Sequence, residues 1–323
     1  MTSAERVKKA IRGEKTDRTP IYGWVNANLS EEISAKFGSV TAFEDKYEFD
    51  AAHLFGGPNS LDQAAYDKVR ASGEELTPDI LLDIPFRPVG NMDDYAGIVD
   101  GLRHHSTERQ RFCYAQTPGL FEHFNDAFGI EDHLCYLSMY GDEIKELYSR
   151  QAKWTKQFAS NLLDLGVDMV HISDDWGSQN SLLFSPKMWR EFIYPNMKDI
   201  ASTVKSKEGF LSLHSDGCIE SVLDGIADIG FDIIHPFQES AGMSYDLYLE
   251  KHSDKFGILG GLCVQTTLGF GDFERLESEI RRVFGLLRGK RWVCCTTHFV
   301  QNHCSIEELE FAFDLVYKLA RGE

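Results

Sequence analysis

The chain has 323 residues, of which 42% are hydrophobic and 26% are charged, and this balance is typical of a soluble globular protein with a large core. The formal net charge of −18 excludes the cationic surface that nucleic-acid binding needs. The charged N-terminal segment has no apolar core of signal-peptide length, and no apolar run approaches the roughly 20 residues of a membrane span. We therefore expect a cytoplasmic protein that contacts neither nucleic acid nor membrane.

The seven cysteines are odd in number and scattered, and no two of them form a Cys-x-x-Cys pair. This pattern indicates reduced thiols and excludes a zinc ribbon or a thioredoxin-like motif. The chain has no low-complexity segment, no visible repeat and no linker rich in Pro, Gly and Ser. We therefore expect residues 1–323 to form a single domain.

Short runs of β-branched and aromatic residues predict nine strands. They lie at residues 20–24, 51–55, 82–86, 112–116, 168–174, 209–214, 231–235, 256–260 and 292–296. Amphipathic stretches between the later strands predict helices at about 185–204, 219–229, 272–287 and 305–320. Ser185, followed by Pro186, and Asp272 are expected N-caps, and Ser305 is expected to open a capping box with Glu308.

This alternation of strands and helices predicts a parallel sheet with right-handed crossovers. No Gly-x-Gly-x-x-Gly turn follows any strand, which favours a (β/α)8 TIM barrel over a doubly wound nucleotide-binding sheet. Because a barrel has eight strands, one of the early candidates is expected to be peripheral.

Polar and ionisable residues follow each strand of the second half. These segments are residues 173–179, 214–217, 235–239, 260–265 and 296–303. In a parallel barrel they meet at one rim, where active sites of this fold lie. Each also has a structural interpretation: Asp174 and Asp175 as helix caps, His235 as a hydrogen-bonded core residue, and Trp176 as a cover over the barrel mouth.

Several segments along the chain, in this order, resemble the corresponding segments of a known family. They include Glu5-Arg6-Val7, Asp17-Arg18-Thr19-Pro20, Asp174-Asp175-Trp176-Gly177, Ser185-Pro186, Leu213-His214-Ser215-Asp216-Gly217, His235-Pro236, Gly260-Gly261 and Thr297-His298. The pattern is similar to the uroporphyrinogen-decarboxylase-like superfamily over nearly the whole chain. The resemblance implies a (β/α)8 barrel and one of two chemistries. One is metal-free decarboxylation of uroporphyrinogen, and the other is zinc-dependent methyl transfer involving cobalamin on a corrinoid protein.

The resemblance is closer to the methyltransferase branch. True decarboxylases carry an Arg-Gln-Ala-Gly-Arg segment after the first strand, whereas residues 23–29 here contain no arginine, and a substrate with many carboxylates needs guanidinium groups. The methyltransferases bind zinc through a His-x-Cys pair and a later Cys. The matching positions here are His214, Asp216 and His298, which still form a ligand set for zinc or another divalent metal. The alternative is a hydrogen-bonded polar core without metal.

The sequence therefore predicts a zinc-dependent methyltransferase that acts between a small-molecule methyl donor and a corrinoid protein. The resemblance is compatible with a homodimer, and the sequence leaves the oligomeric state open. The residues expected to take part in catalysis are Asp174, Asp175, Glu239 and His298. Those expected to contact the substrate are Trp176, Gln179, Gln238, Phe121 and Tyr140. Two other interpretations remain open: decarboxylation of a tetrapyrrole or another carboxylate, and a non-catalytic tetrapyrrole-binding barrel.

Overall fold

Seven parallel strands form one sheet in the order of the chain, and a computed structural model describes them within residues 1–323. The strands are β1 (Ala51–Leu54), β2 (Phe112–Pro118), β3 (Met169–Ser173), β4 (Phe210–His214), β5 (Ile233–His235), β6 (Gly257–Leu262) and β7 (Trp292–Thr296). Each strand pairs only with its sequence neighbours in the sheet. The predicted strands of the second half are thus confirmed to within about two residues at each end, the variation expected of element boundaries.

Helices follow the strands and cover the outside of the sheet. They are α1 (Ser3–Arg12), α2 (Asn26–Phe37), α3 (Val40–Lys46), α4 (Gln63–Ser72), α5 (Pro78–Leu82), α6 (Ala96–Gly101), α7 (Phe121–Phe128), α8 (Ile130–Met139), α9 (Gly141–Leu165), α10 (Pro186–Met188), α11 (Tyr194–Ser206), α12 (Leu223–Ile229), α13 (Tyr245–Lys251), α14 (Phe273–Leu287) and α15 (Ile306–Arg321). None of them is both long enough and apolar enough to cross a membrane.

Residues 20–22 close the sheet between β7 and β1. The Tyr22 N–H donates to the Cys294 carbonyl at 2.8 Å, and the Cys294 N–H donates to the Pro20 carbonyl at 3.0 Å. On the other side, the Asp50 N–H donates to the Ile21 carbonyl at 2.8 Å. This short segment takes the place of the eighth strand, so the expectation of a TIM-barrel fold is confirmed.

The predicted strand at 82–86 is wrong. Pro78 starts a short helix that ends at Leu82, because proline at the first helical position needs no N–H partner. Phe86 then makes only an isolated antiparallel bridge with Leu61, outside the barrel. This is the peripheral candidate among the nine.

The predicted helices are confirmed, and one of them is irregular. The helix expected at 185–204 contains a wide turn at Trp189–Ile193, directly before Pro195, which has no N–H to continue a regular ladder. Ser185, Asp272 and Ser305 cap their helices as expected.

The capping box at Ser305 is only half formed. The Glu308 N–H donates to Ser305 Oγ, but the buried Glu308 carboxylate turns away and accepts from the N–H groups of Gly269, Phe270 and Gly271. Glu308 thus anchors the loop after β6 and leaves the N-cap backbone without its reciprocal bond.

Candidate functional site

The carboxyl ends of β4, β5, β6 and β7 surround a cavity of about 550 Å³. Its lining is formed by Asp216, Gln238, Val264, Gln265, Phe270, Thr297, His298, Gln301 and His303. The lining contains no lysine and no arginine. The cavity therefore suits a polar ligand without a large negative charge, because no permanent cation lies in its wall to pair with one.

His214, Asp216 and His298 meet at this cavity. Each offers one ligand atom, and these atoms lie within 4.8 Å of one another. His214 is the last residue of β4 and is 6% exposed, while Asp216 and His298 line the cavity. The three residues that the sequence singled out are thus brought together, because the ends of parallel strands share one rim.

The electrostatics of this cluster fit a divalent metal such as zinc. Burial lowers the pKa of His214 and of His298, so both imidazoles are held in the neutral form that binds metals. Burial raises the pKa of Asp216 to about 6, against the lowering effect of His214 and with a raising effect from Asp175. Two imidazoles and one carboxylate, open to a cavity, are a ligand composition that catalytic zinc sites use.

Asp175 lies behind the cluster. Its Oδ1 is 3.6 Å from His214 Nε2 and accepts the backbone N–H of Asp216 at 2.8 Å. The carboxylate therefore holds the loop after β4 in register with the loop after β3. Asp175 thus lies beside His214 and Asp216, and its catalytic role stays a prediction.

Two glycines allow these loops to touch. A Cβ on Gly177 would lie 2.5 Å from the Asp216 carbonyl oxygen. A Cβ on Gly217, where φ is +79°, would lie 2.5 Å from the Gly177 carbonyl carbon. Neither space admits a side chain, so the close approach that brings Asp175 to Asp216 depends on both glycines.

Asp174 is buried and held by hydrogen bonds within the protein. Its carboxylate is fully buried and accepts the Glu122 N–H at 2.8 Å and the Trp176 indole N–H at 2.7 Å. It thus caps the first turn of α7 from a neighbouring strand. Burial raises its pKa to about 6, although these hydrogen bonds oppose the shift. Asp174 is not among the residues that line the cavity described above, and its catalytic role stays a prediction.

Glu122 is a titratable residue of the site region that the sequence did not indicate. Its carboxylate accepts the Ser173 hydroxyl at 2.9 Å. Burial, together with raising effects from the neighbouring Asp175 and Asp174, brings its pKa to about 7. It was missed because it lies in the first turn of a helix, where an acidic residue is ordinary, and no strand-end pattern marks it.

The barrel interior next to the cavity is filled by aromatic and imidazole rings. Trp24 stacks on His235 with ring centroids 4.5 Å apart and on His53 at 5.4 Å. Its indole N–H donates to the Tyr114 hydroxyl. His171 lies at 6.1 Å from Trp24 and is fully buried. Inward alternation along β1 and β3 is the signal that could have placed His53 and His171 here.

A second group of three imidazoles, His171, His214 and His235, also lies within 4.8 Å. Here His214 Nδ1 and His235 Nδ1 are 2.7 Å apart, which is a hydrogen-bond distance. Two nitrogen ligands of one tetrahedral zinc ion are separated by about 3.3 Å. We therefore regard this inner group as hydrogen-bonded and the group with Asp216 and His298 as the better metal site.

Three of the polar residues expected at the site have different surroundings. Gln238 lines the cavity, accepts the Gly217 N–H at 2.8 Å and donates to Gln265 Oε1 at 2.5 Å. Gln179 donates to the Ser240 carbonyl at the surface. Glu239 pairs with Arg282 and is not among the residues that line the cavity, and its expected catalytic role stays a prediction.

The aromatic residues expected to contact a substrate do not line the cavity. Trp176 and Phe121 are fully buried, and Phe121 stacks on His133 with centroids 4.7 Å apart. Tyr140 packs against Tyr136 at 5.3 Å. These rings fill the core around α7 and α8, where burial of their large apolar area stabilises the fold.

A second cavity, of about 520 Å³, opens at the ends of β1 and β2. Its wall includes the exposed ring of Phe55 together with Gln116, His123 and Asp126. His123 Nε2 lies 2.7 Å from Ser60 Oγ. Since the carboxyl ends of β1 and β2 belong to the same rim, this space lies on the same face of the barrel as the first cavity.

Comparison with known families agrees with this architecture. The model of the uroporphyrinogen decarboxylase (URO-D) family matches residues 128–319, more than half of the chain. The chain belongs to the uroporphyrinogen decarboxylase family. The matched region runs from the end of α7 into α15 and contains His214, Asp216 and His298. No curated protein sequence matches this URO-D family member significantly.

Solved structures share the fold of this URO-D family member at low sequence identity. A methyltransferase from Methanosarcina mazei is 15% identical, with a TM-score of 0.72 over 98% of each chain. A B12-independent methionine synthase from Shewanella sp. W3-18-1 is 14% identical, with a TM-score of 0.47 over 69% of this chain and 65% of that one. At these identities the similarity concerns the fold alone.

Proposed function

We propose that this protein is a zinc-dependent methyltransferase that moves a methyl group between a small methylated compound and the cobalamin of a corrinoid protein. The observation that carries the proposal is the cluster of His214, Asp216 and His298 at the edge of a cavity without lysine or arginine. The fold shared with a methyltransferase over 98% of both chains supports it.

Different residues in and around the cavity would have different roles in such a reaction. His214, Asp216 and His298 would hold the ion, which supplies Lewis-acid polarisation of the atom that carries the methyl group or receives it. Asp175 keeps the Asp216 backbone in place through its 2.8 Å hydrogen bond. Gln265 and Gln301 line the cavity and present amide groups that can orient a neutral polar substrate.

The same cavity argues against decarboxylation of uroporphyrinogen. That substrate carries eight carboxylates, and their binding needs several guanidinium or ammonium groups. The lining offers none and adds the carboxylate of Asp216. The formal net charge of −18 makes the approach of such an anion still less favourable.

Measurements of metal content and of methyl transfer together test the proposal. The protein, purified without chelators or a polyhistidine tag, is expected to contain zinc near one equivalent by plasma mass spectrometry. It is also expected to form methylcobalamin from cob(I)alamin with at least one donor from a panel of methoxylated and methylamine compounds. Both properties should be lost in His214→Ala and His298→Ala.

A control substitution of another histidine distinguishes loss of the metal site from the general effect of removing an imidazole. His104 lies in the helical turn at Leu102–Thr107 and contacts Arg109 and Thr41, so His104→Ala should keep zinc and activity. A metal-free wild-type protein, or zinc that persists in both site variants, would refute the proposed metal centre. Absence of methylcobalamin with every donor would refute the proposed reaction.

A further inference from the structure

His235 is the last residue of β5 and is fully buried beneath Trp24. It makes two contacts through its ring nitrogens. Nε2 lies 3.1 Å from the Thr296 carbonyl oxygen, and Nδ1 lies 2.7 Å from His214 Nδ1. The side chain therefore connects the backbone of β7 with the proposed metal ligand at the end of β4.

The Thr296 carbonyl determines which ring nitrogens of His235 and His214 carry hydrogen. A carbonyl oxygen can only accept, so the hydrogen on His235 must be at Nε2. No carboxylate touches His235 and the ring is fully buried, so no counter-charge is present to stabilise an imidazolium and the ring is taken as neutral. Its Nδ1 then carries a lone pair, and the 2.7 Å contact requires that His214 donates from its own Nδ1.

By the same argument, the other ring nitrogen of His214, Nε2, carries no hydrogen. A neutral imidazole with hydrogen at Nδ1 has a lone pair at Nε2. This Nε2 is the atom on the side of Asp175, 3.6 Å from its Oδ1. In the opposite tautomer of His214, two lone pairs would face each other at 2.7 Å, which is repulsive.

We propose that His235 is a positioning residue that holds His214 in the tautomer with a free Nε2 lone pair, directed to the cluster with Asp216 and His298. Its use for metal binding rests on the proposed function, whereas the tautomer itself does not. A metal-bound histidine commonly donates its other N–H to a fixed acceptor, and loss of that acceptor lowers metal affinity about 10–100-fold. Here the acceptor is an imidazole, which the Thr296 carbonyl holds in turn.

The first test reads the tautomer directly in the full-length protein after removal of metal by a chelator. Two-bond ¹⁵N–¹H correlation spectra of protein labelled in its 11 histidines report which ring nitrogen carries hydrogen, and loss of one signal set in His214→Gln assigns His214. We expect hydrogen on Nδ1 and a bare Nε2. Hydrogen on Nε2 of His214 would overturn the proposal.

The second test uses Co²⁺ as the probe and compares three variants. His235→Leu removes both hydrogen bonds and should lower Co²⁺ affinity about 10–100-fold. His235→Gln keeps an acceptor and a donor and should restore affinity to within a few-fold of wild type. His53→Leu removes a second imidazole packed on Trp24 and should leave the affinity unchanged.

The outcomes separate the two proposals. Equal loss of affinity in His235→Gln and His235→Leu, or a similar loss in His53→Leu, would show that His235 acts through packing alone and would overturn its positioning role. Failure of the wild-type protein to bind Co²⁺ or zinc would refute the proposed function. In that case the ¹⁵N spectra still decide whether His235 fixes the tautomer of His214.

Discussion

The most specific prediction concerns the Glu122 carboxyl group, which lies between the barrel rim and α7. Its carboxylate accepts the Ser173 hydroxyl and lies near Asp174 and Asp175. Burial, together with the raising effect of the two aspartates, brings the pKa to about 7 from a usual value of 4.5. The folded protein therefore binds this proton much more tightly than the unfolded chain does.

The shift gives the sign and size of a pH effect. Because the folded pKa is the higher one, the stability that Glu122 contributes is fully present below about pH 4.5 and is lost as the pH rises through about 7. The rise of the pKa from 4.5 to about 7 corresponds to about 3 kcal/mol in total, of which about 2–3 kcal/mol falls between about pH 5 and 8.5. Glu122→Gln resembles the protonated acid at every pH, so it should match wild type at about pH 5 and be more stable by that amount at about pH 8.5.

Urea unfolding at the two pH values measures this difference, with the change in midpoint read at constant slope. Glu131→Gln is the control, because Glu131 is an exposed acid in the first turn of α8 and should give the same small difference at both values. If the stability difference between wild type and Glu122→Gln changes by less than about 0.5 kcal/mol between them, the buried environment of Glu122 is wrongly described.

Two further changes test the structure around the site. Asp50→Asn should lower the free energy of unfolding by about 3–5 kcal/mol in urea titrations, because the fully buried Asp50 carboxylate binds two guanidinium groups and the Ile21 N–H where the barrel closes. Gly217→Ala should cost about 1–3 kcal/mol and weaken Co²⁺ binding, because its φ is +79° and a Cβ would strike Gly177. Gly285→Ala, in α14 with no atom near the added Cβ, should be neutral or slightly stabilising. Equal effects of the two glycine changes would contradict the steric argument.

Much of the fold follows from local patterns in the sequence. The second-half strands are short β-branched runs between amphipathic helices, and Ser185, Asp272 and Ser305 mark helix starts in the sequence and in the structure. The first half of the chain was harder to predict, because its helices are short and some of its apolar runs resemble strands. Residues 82–86 resemble a strand, but the helix that begins at Pro78 and the bridge between Phe86 and Leu61 place them outside the barrel.

The site could be predicted only where the topology alone brings residues together. His214, Asp216 and His298 follow strand ends, and parallel strands direct these ends to one rim. The roles of Trp176 and Phe121 depended on which face of an element is buried, and aromatic residues near a rim occur on either face. The environment of Glu122 and the contact of His235 with His214 depend on distances across the barrel, which no local pattern encodes.

The composition of the proposed metal site bears on the substrate. The resemblance to the methyltransferase branch implies two thiolates and one imidazole at the corresponding positions, whereas this chain offers one carboxylate and the imidazoles of His214 and His298. Two thiolates would neutralise a divalent ion, but Asp216 alone leaves a net charge of about +1 on the centre. A centre with more residual charge polarises a bound oxygen or nitrogen more strongly. On the proposed function, the ligand set together with the uncharged amides of Gln265 and Gln301 predicts a substrate that presents oxygen or nitrogen, rather than a thiol sulfur, to the metal.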